Sequence, residues 1–298
     1  MNAVDHNNVV IFDDRGIPSI MCRFVRPKDT EEIPAVFKIG DKVADAIYIS
    51  KYPNIVIDGR AYSMPMADPT VNITFDEAVQ ACRCKGLGWH LMTAVEYEYL
   101  LNQSREKGTM PHGNTDWGKD YYHNEEQGKV SNLGRTYTGT GPVTWNHDHT
   151  PYGVSDLNGN VWEWLAGLRI KDGVIEFIPG NKAASPYCDL SKDSTEWQQA
   201  ETSKGPVRAN VECGEITITD AVAADDYEPN YDGVRIEELE VKLSEIPQVL
   251  KDLGIIPDKR AEEEGKTYVY FDATEGEYLP FRGSAFSSTS GSGPSALN

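Results

Sequence analysis

Three things are missing or scarce in this chain, and each absence removes a class of protein. No apolar run approaches the ~20 residues that span a bilayer, so no membrane-crossing helix is expected. Basic residues are few: 28 Lys and Arg stand against 47 Asp and Glu, a formal charge of −19. Residues 169–280 alone hold 25 Asp and Glu against 12 Lys and Arg, a net of −13, and no basic patch occurs anywhere. Phosphate backbones require clustered Lys and Arg, so nucleic acid is not an expected partner. Cysteine is sparse and odd in number: Cys22, Cys82, Cys84, Cys188 and Cys213. A scattered, odd set argues against a disulfide framework and for a reducing compartment during synthesis. Residues 1–8 are polar and lack a basic-then-apolar pattern, so export by a cleaved signal is not expected.

What is present reads as a globular, sheet-rich protein. The chain has 298 residues, 39% of them hydrophobic, with 15 Tyr and 6 Trp. That is enough for one large domain or two smaller ones. Residues 9–24 read as two short strands about a D-R-G turn, residues 46–52 and 54–57 as further strands. Two helix starts follow. Thr74-Phe75-Asp76-Glu77 and Thr93-Ala94-Val95-Glu96 are both capping boxes, in which the Thr accepts first-turn amides and the Glu reaches back. Helices embedded among strands, not alternating with them, predict an α+β fold. Residues 102–150 lack any sustained period, and Trp117, Tyr121, Tyr122, Tyr137 and Trp145 are expected to tie that stretch down. The apolar spacing of residues 236–253 predicts one long helix, and residues 267–273 a strand.

Residues 156–164 read D-L-N-G-N-V-W-E-W. Asn158-Gly159 is a strong turn signal, and the run after it alternates faces. Trp162 and Trp164 share one face; Val161, Glu163 and Leu165 share the other. Glu163 then needs a partner. It is either satisfied by backbone or water at a sheet margin, or one of an oxygen-only set with Asp156 and the turn carbonyls, the kind Ca²⁺ takes. Cys82 and Cys84 lie about 200° apart on the first helix, so they do not form a site. His147-Asp148-His149 offers no third metal ligand.

Five motifs carry a resemblance, in this order: residues 73–78 (I-T-F-D-E-A), residues 91–99 (L-M-T-A-V-E-Y-E-Y), Tyr152-Gly153, residues 158–164 (N-G-N-V-W-E-W), and residues 282–286 (R-G-S-A-F). The chain resembles the formylglycine-generating-enzyme branch of the C-type lectin fold, whose motifs read roughly L-P-T-E-A-E-W-E-Y, G-N-V-W-E-W and R-G-G-S-W. The likeness covers about residues 45–168 and 281–298. It implies N-terminal strands over residues 1–45 and a C-type lectin-like domain over 46–298, with 169–280 as an acidic insertion. The family's enzymes oxidise a Cys of a target protein with cysteines near the domain's C-terminal end. No Cys follows Cys213 here, so the resemblance implies a binder and not an enzyme.

The tail, F-R-G-S-A-F-S-S-T-S-G-S-G-P-S-A-L-N, resembles the variable region of proteins diversified by retroelements. In those systems adenines are miscopied, and Asn codons become Ser, Gly or Thr codons. The resemblance implies a ligand- or receptor-binding face of Phe286, Ser287, Ser288, Ser290, Gly291, Ser292, Pro294 and Ser295, displayed on a virion tail fibre or a cell surface. The partner would be a protein or glycan on a host or target surface, engaged multivalently, with no nucleic acid and no membrane insertion. No cofactor is required. The family likeness also suggests Ca²⁺ held by Asp156, Gly159, Val161 and Glu163. An oxidoreductase or a plain carbohydrate-binding lectin are the alternatives. The nearest lectin-like string, Glu228-Pro229-Asn230, lies outside the family's motifs and reads as a turn.

Overall fold

The computed structural model describes residues 7–30, 32–212, 214–224 and 226–298. Residues 1–6 of the polar N-terminus and Cys213, both weighed above, lie outside the described residues. The architecture is α+β: three α-helices and several mostly antiparallel sheets. Among the described residues no helix is long and apolar enough to cross a membrane.

The first elements follow local signals. Strands β1 (Asn8–Phe12) and β2 (Pro18–Val25) form a hairpin, and β2 pairs on to β3 (Ala46–Ser50). Strands β4 (Asn54–Ile57) and β5 (Arg60–Ser63) make a second hairpin. Its two turn residues, Asp58 and Gly59, both have φ > 0, as a tight hairpin turn demands. Helix α1 (Phe75–Arg83) starts at Thr74 and α2 (Ala94–Lys107) at Thr93, each with both halves of its capping box formed. Such a box removes two of the helix's orphan amides and contributes on the order of 1 kcal/mol.

Strand β6 (Glu163–Trp164) is shorter than the expected run of residues 161–165. It pairs only with β15 (Phe281–Arg282), a two-residue strand, so the ladder ends where the partner ends. Between them the chain lays down β7 (Leu168–Lys171), β8 (Val174–Phe177), β9 (Arg208–Glu212), β10 (Glu215–Thr219), β11 (Tyr231–Arg235), β12 (Glu240–Lys242), α3 (Gln248–Asp252), β13 (Tyr268–Asp272) and β14 (Glu277–Tyr278). The largest sheet runs β12-β10-β9-β8-β7-β14, with Gln198–Gln199 also pairing β8. Strands β11 and β13 form a separate ribbon.

Residues 169–280, expected as an insertion, build most of the largest sheet and place Ile175, Val211, Ile218 and Phe271 in the same apolar core as Tyr97, Leu100 and Leu165. The single helix expected over 236–253 is instead a 3-10 turn (Ile236–Glu238), strand β12 and the five-residue α3. Pro247 lacks an N–H and cannot lie inside a helix, so it becomes the residue before α3. Upstream of it, residues 240–242 gain a parallel pairing with β10.

Candidate functional site

The D-L-N-G-N-V-W-E-W stretch is the joint where helix α2, the 113–136 loop and the tail meet. Asp156, Leu157, Asn160 and Leu165 are buried. Asn160, at φ 63°, is the hub. Its Oδ1 accepts from Thr136 N at 2.8 Å and from Asn114 Nδ2 at 3.2 Å, and its Nδ2 donates to Thr136 O at 3.1 Å. Gly159 has to be glycine: a Cβ there would sit 2.1 Å from Asn114 O, at φ +72°. From α2, Tyr97 OH lies 2.8 Å from both Leu157 O and Pro294 O, joining motif and tail. Trp162 and Trp164 are half-buried, not core; their rings meet Phe281 edge-on at 5.1 and 5.0 Å.

The tail divides into two halves. Residues 286–291 form a turn whose backbone is tied to the body. Phe286 N donates to Asn160 O (3.1 Å), Trp117 N to Phe286 O (2.8 Å), and Thr289 N to Thr115 O (2.9 Å). Ser287 is exposed; Phe286, Ser288, Thr289, Ser290 and Gly291 are half-buried. Four non-glycine residues at this face, Trp117, Leu133, Ser284 and Thr289, adopt left-handed φ between 50° and 70°. Such conformations persist only where surroundings over-determine them, and they cluster at functional sites.

The second half corrects the expected face. Ser292, Pro294 and Ser295 are buried. Thr267 Oγ1 donates to Ser292 O at 3.3 Å, and Ser295 Oγ donates to the Glu264 carboxylate. Glu264 in turn pairs with Arg105 at 2.8 Å, and Arg105 also pairs with Glu98. These partners cover the tail from α2 and from the stretch just before β13. Gly291 is also constrained, since a Cβ there would lie 2.8 Å from the Tyr268 ring.

What composition does not reveal is what stands beside the turn. Trp117, Tyr121 and Tyr122, expected to pin their loop from within, are exposed; of the five aromatics named, only Trp145 is fully buried. The Trp117 ring lies edge-on to Phe286 at 4.9 Å. Tyr122 OH donates to Ser290 O at 2.8 Å. The turn of small residues therefore has an aromatic rim. The one signal available in sequence was the density of aromatics in a loop without period.

The oxygen set behaves unevenly. Asp156 Oδ2 accepts from Gly139 N at 2.9 Å, and burial pushes its carboxyl up to about 6. Glu163 makes no side-chain hydrogen bond among the described residues, and burial, with Asp156 nearby, pushes it up to about 8. Asn158 Oδ1, which the sequence reading passed over, is a buried acceptor without a hydrogen-bond partner among the described residues. Asp156 is thus engaged, Glu163 is half-buried, and Asn158 Oδ1 is the buried acceptor this stretch leaves open. Among the described residues no group of three or more His, Cys, Asp and Glu could hold a metal ion. His147 Nδ1 accepts from Val154 N, and burial pushes that imidazole down to about 4, in keeping with a packed loop.

The four described cysteines are free. Burial pushes Cys22, Cys82 and Cys188 up to about 11, away from the thiolate form that thiol chemistry needs.

A family model described as the sulfatase-modifying factor enzyme 1-like domain matches residues 51–207, just over half of the chain. The chain belongs to that family. The match continues past residue 168, so the family's body includes β7 and β8. The formylglycine-generating enzyme of Mus musculus is 36% identical over 105 residues, covering 33% of this chain and 27% of that protein. The chain thus spans about a quarter of that relative's length.

Proposed function

We propose that this member of the family is a ligand- or receptor-binding protein, and that its binding face is the 286–291 turn with the Trp117, Tyr121 and Tyr122 rim. One observation carries the reading: the turn's backbone is bonded to the body at Phe286 and Thr289 while Ser287 is exposed. A side chain on which no packing depends can change without refolding the scaffold. The rim supplies rigid aromatic area of the kind that anchors interfaces. On this reading Phe286, Ser287, Ser288 and Ser290 are the positions a diversity-generating retroelement rewrites. The partner is a protein or glycan on a host or target surface. Display is on a virion tail fibre or a cell surface, in several copies, because the small side chains of this variant offer few anchors of their own. Ca²⁺ held by Glu163, Asn158 and the Gly159 and Val161 carbonyls would stiffen the joint beneath the turn.

A library randomised at Phe286, Ser287, Ser288 and Ser290, selected against two unrelated immobilised proteins, tests the face. Folded binders to each target are expected, and Trp117→Ala should abolish their binding with little change in Tm. Unfolded library members, or binding indifferent to Trp117, would sink the reading. The retroelement itself predicts a reverse-transcriptase gene beside the coding sequence and a second copy of the tail's coding sequence differing only at adenines.

The second reading is an oxidoreductase, favoured by the name of the mouse relative. It meets the raised thiols of Cys22, Cys82 and Cys188. Loss of a cysteine thiol from a test peptide incubated with the protein, followed by mass spectrometry, would establish it.

A further inference from the structure

Eleven non-glycine residues among the described ones hold a left-handed φ. Eight are Asp, Asn, His, Ser or Thr, polar side chains of which Asp, Asn and His are enriched there. The other three are Met66, Trp117 and Leu133, at 57°, 53° and 50°. A bulky apolar side chain is an outlier in that region, because its Cβ crowds the backbone. Burial does little to offset the cost: Met66, Trp117 and Leu133 are 54%, 59% and 72% exposed. Backbone strain that the fold does not need points outward, to function.

The three residues stand on loops bonded into one body. Asp68 accepts from Ser131 Oγ at 2.9 Å and from Arg135 Nε and Nη2 at 3.1 and 3.0 Å, and Met66 N donates to Thr138 O at 2.9 Å. Residues 66–68 are therefore laced along residues 131–138. Within that stretch Ser131 N donates to Arg135 O at 2.7 Å and Arg135 N to Asn132 O at 3.0 Å, closing a turn that carries Leu133. Asn114 Nδ2 donates to Gly134 O at 2.8 Å, and a Cβ at Gly134 would lie 2.5 Å from Trp117 Cε3, so the turn rests against that ring. Side chains held this firmly lose little freedom when a partner arrives.

The polar groups around them decide what kind of partner fits. Both Asp68 oxygens are engaged, the Asn114 amide is shared between Gly134 and Asn160, and Asp116 pairs with Lys119 at 3.2 Å. Sugar hydroxyls would find these groups already committed, and two of the three side chains offer no flat ring to stack on. A lipid surface favours apolar tips set among cations. Residues 110–140 instead hold 4 Asp and Glu against 3 Lys and Arg. Such a near-neutral stretch, in a chain of −19, is where an uncharged surface approaches without a net opposing charge. Exposed apolar anchors with paired charges beside them have the make-up of a protein interface.

We propose that Met66, Trp117 and Leu133 are fixed anchors of a protein-docking surface, and that the partner is a protein presenting an uncharged, apolar patch. The proposal rests on the binding reading in sharing Trp117, but its test does not use the tail, so the two can fail separately. Nanobodies from a naive library, selected against the full chain, serve as unbiased protein probes. Most are expected to lose affinity by on the order of tenfold or more on Leu133→Gly or Met66→Gly. Glycine adopts a left-handed φ without strain, so both variants should melt at or above the parent's Tm. Nanobodies indifferent to both substitutions would overturn the proposal. A Tm several degrees below the parent's would do the same, by making these side chains part of the fold. Binding of the parent to phosphatidylcholine vesicles or to a glycan array, lost on the same substitutions, would hand the surface to lipid or sugar and overturn it as well.

Discussion

Residues 286–291 and 292–297 lie next to one another and are made mostly of the same small residues, yet the first set forms a half-exposed turn and the second is buried throughout. Composition does not separate them. What lies opposite does. The turn faces loop 114–122 and solvent; its backbone is bonded to the body, Phe286 leans on Trp117, Ser288 Oγ accepts from Ala285 N, and Ser287 is exposed. The second set runs under α2 and alongside β13, where Tyr97, Glu264 and Thr267 each take hold of one residue. A stretch of Ser and Gly thus carries two jobs, one open to change and one closed, and the boundary falls between Gly291 and Ser292.

The largest effect should come from breaking the closed half at its charge cluster. Glu264 is 1% exposed and bridges Arg105 to Ser295. Glu264→Ala leaves Arg105 with Glu98 as its one carboxylate partner, beside Asn102 Oδ1, and removes the acceptor of the buried Ser295 hydroxyl. Removing one partner of a buried pair destabilises by about 3–5 kcal/mol. Urea unfolding measures it, and a loss under about 1 kcal/mol would mean the cluster does not anchor the tail.

Next is overpacking. Ser295 is 3% exposed, so Ser295→Tyr has no room and should destabilise by about 1–3 kcal/mol or more. Thermal melting checks it. A Tm equal to the parent's would return Ser295 to the variable face.

A smaller, pH-dependent effect sits at the root of the tail, where Glu163 stands opposite Arg282 in register. Burial raises the folded-state value of Glu163 from 4.5 to about 8, so the folded chain holds this proton more tightly than the unfolded one. The stabilisation is complete below the ordinary carboxylate range and is lost as pH rises to about 8. Without added metal, the parent's Tm should therefore fall between pH 5 and pH 8 more steeply than that of Glu163→Gln. Near pH 8, Ca²⁺ should raise the parent's Tm and leave the Glu163→Gln variant unmoved. Equal responses of the two proteins would remove Glu163 from any cation site.

Why the burial of the tail's second half is not legible in the sequence follows from where the information lies. Capping boxes are complete within four residues, so Thr74 and Thr93 announced α1 and α2 directly. The 156–164 motif likewise carries its own turn and alternation. Burial of Ser295 instead depends on Glu264, 31 positions away, in a stretch whose fold no local pattern gave. The same distance problem hid the aromatic rim: Tyr122 touches Ser290 across 168 positions. Residues 236–253 mislead differently: their apolar spacing is helical, but Pro247 forbids one continuous helix.

The open half makes the smallest prediction and the most informative one. Ser287 is exposed and its side chain meets no partner among the described residues. Ser287→Tyr should change stability by no more than about 0.5 kcal/mol, as for surface substitutions generally. Measured beside Ser295→Tyr, the same chemical change eight positions apart should differ severalfold in destabilisation. If both variants melt together, near the parent or far below it, the boundary between Gly291 and Ser292 is wrong. If Ser287→Tyr alone is neutral, the turn can accept a large aromatic beside Trp117 and Tyr122, which is the property a rewritable binding face requires.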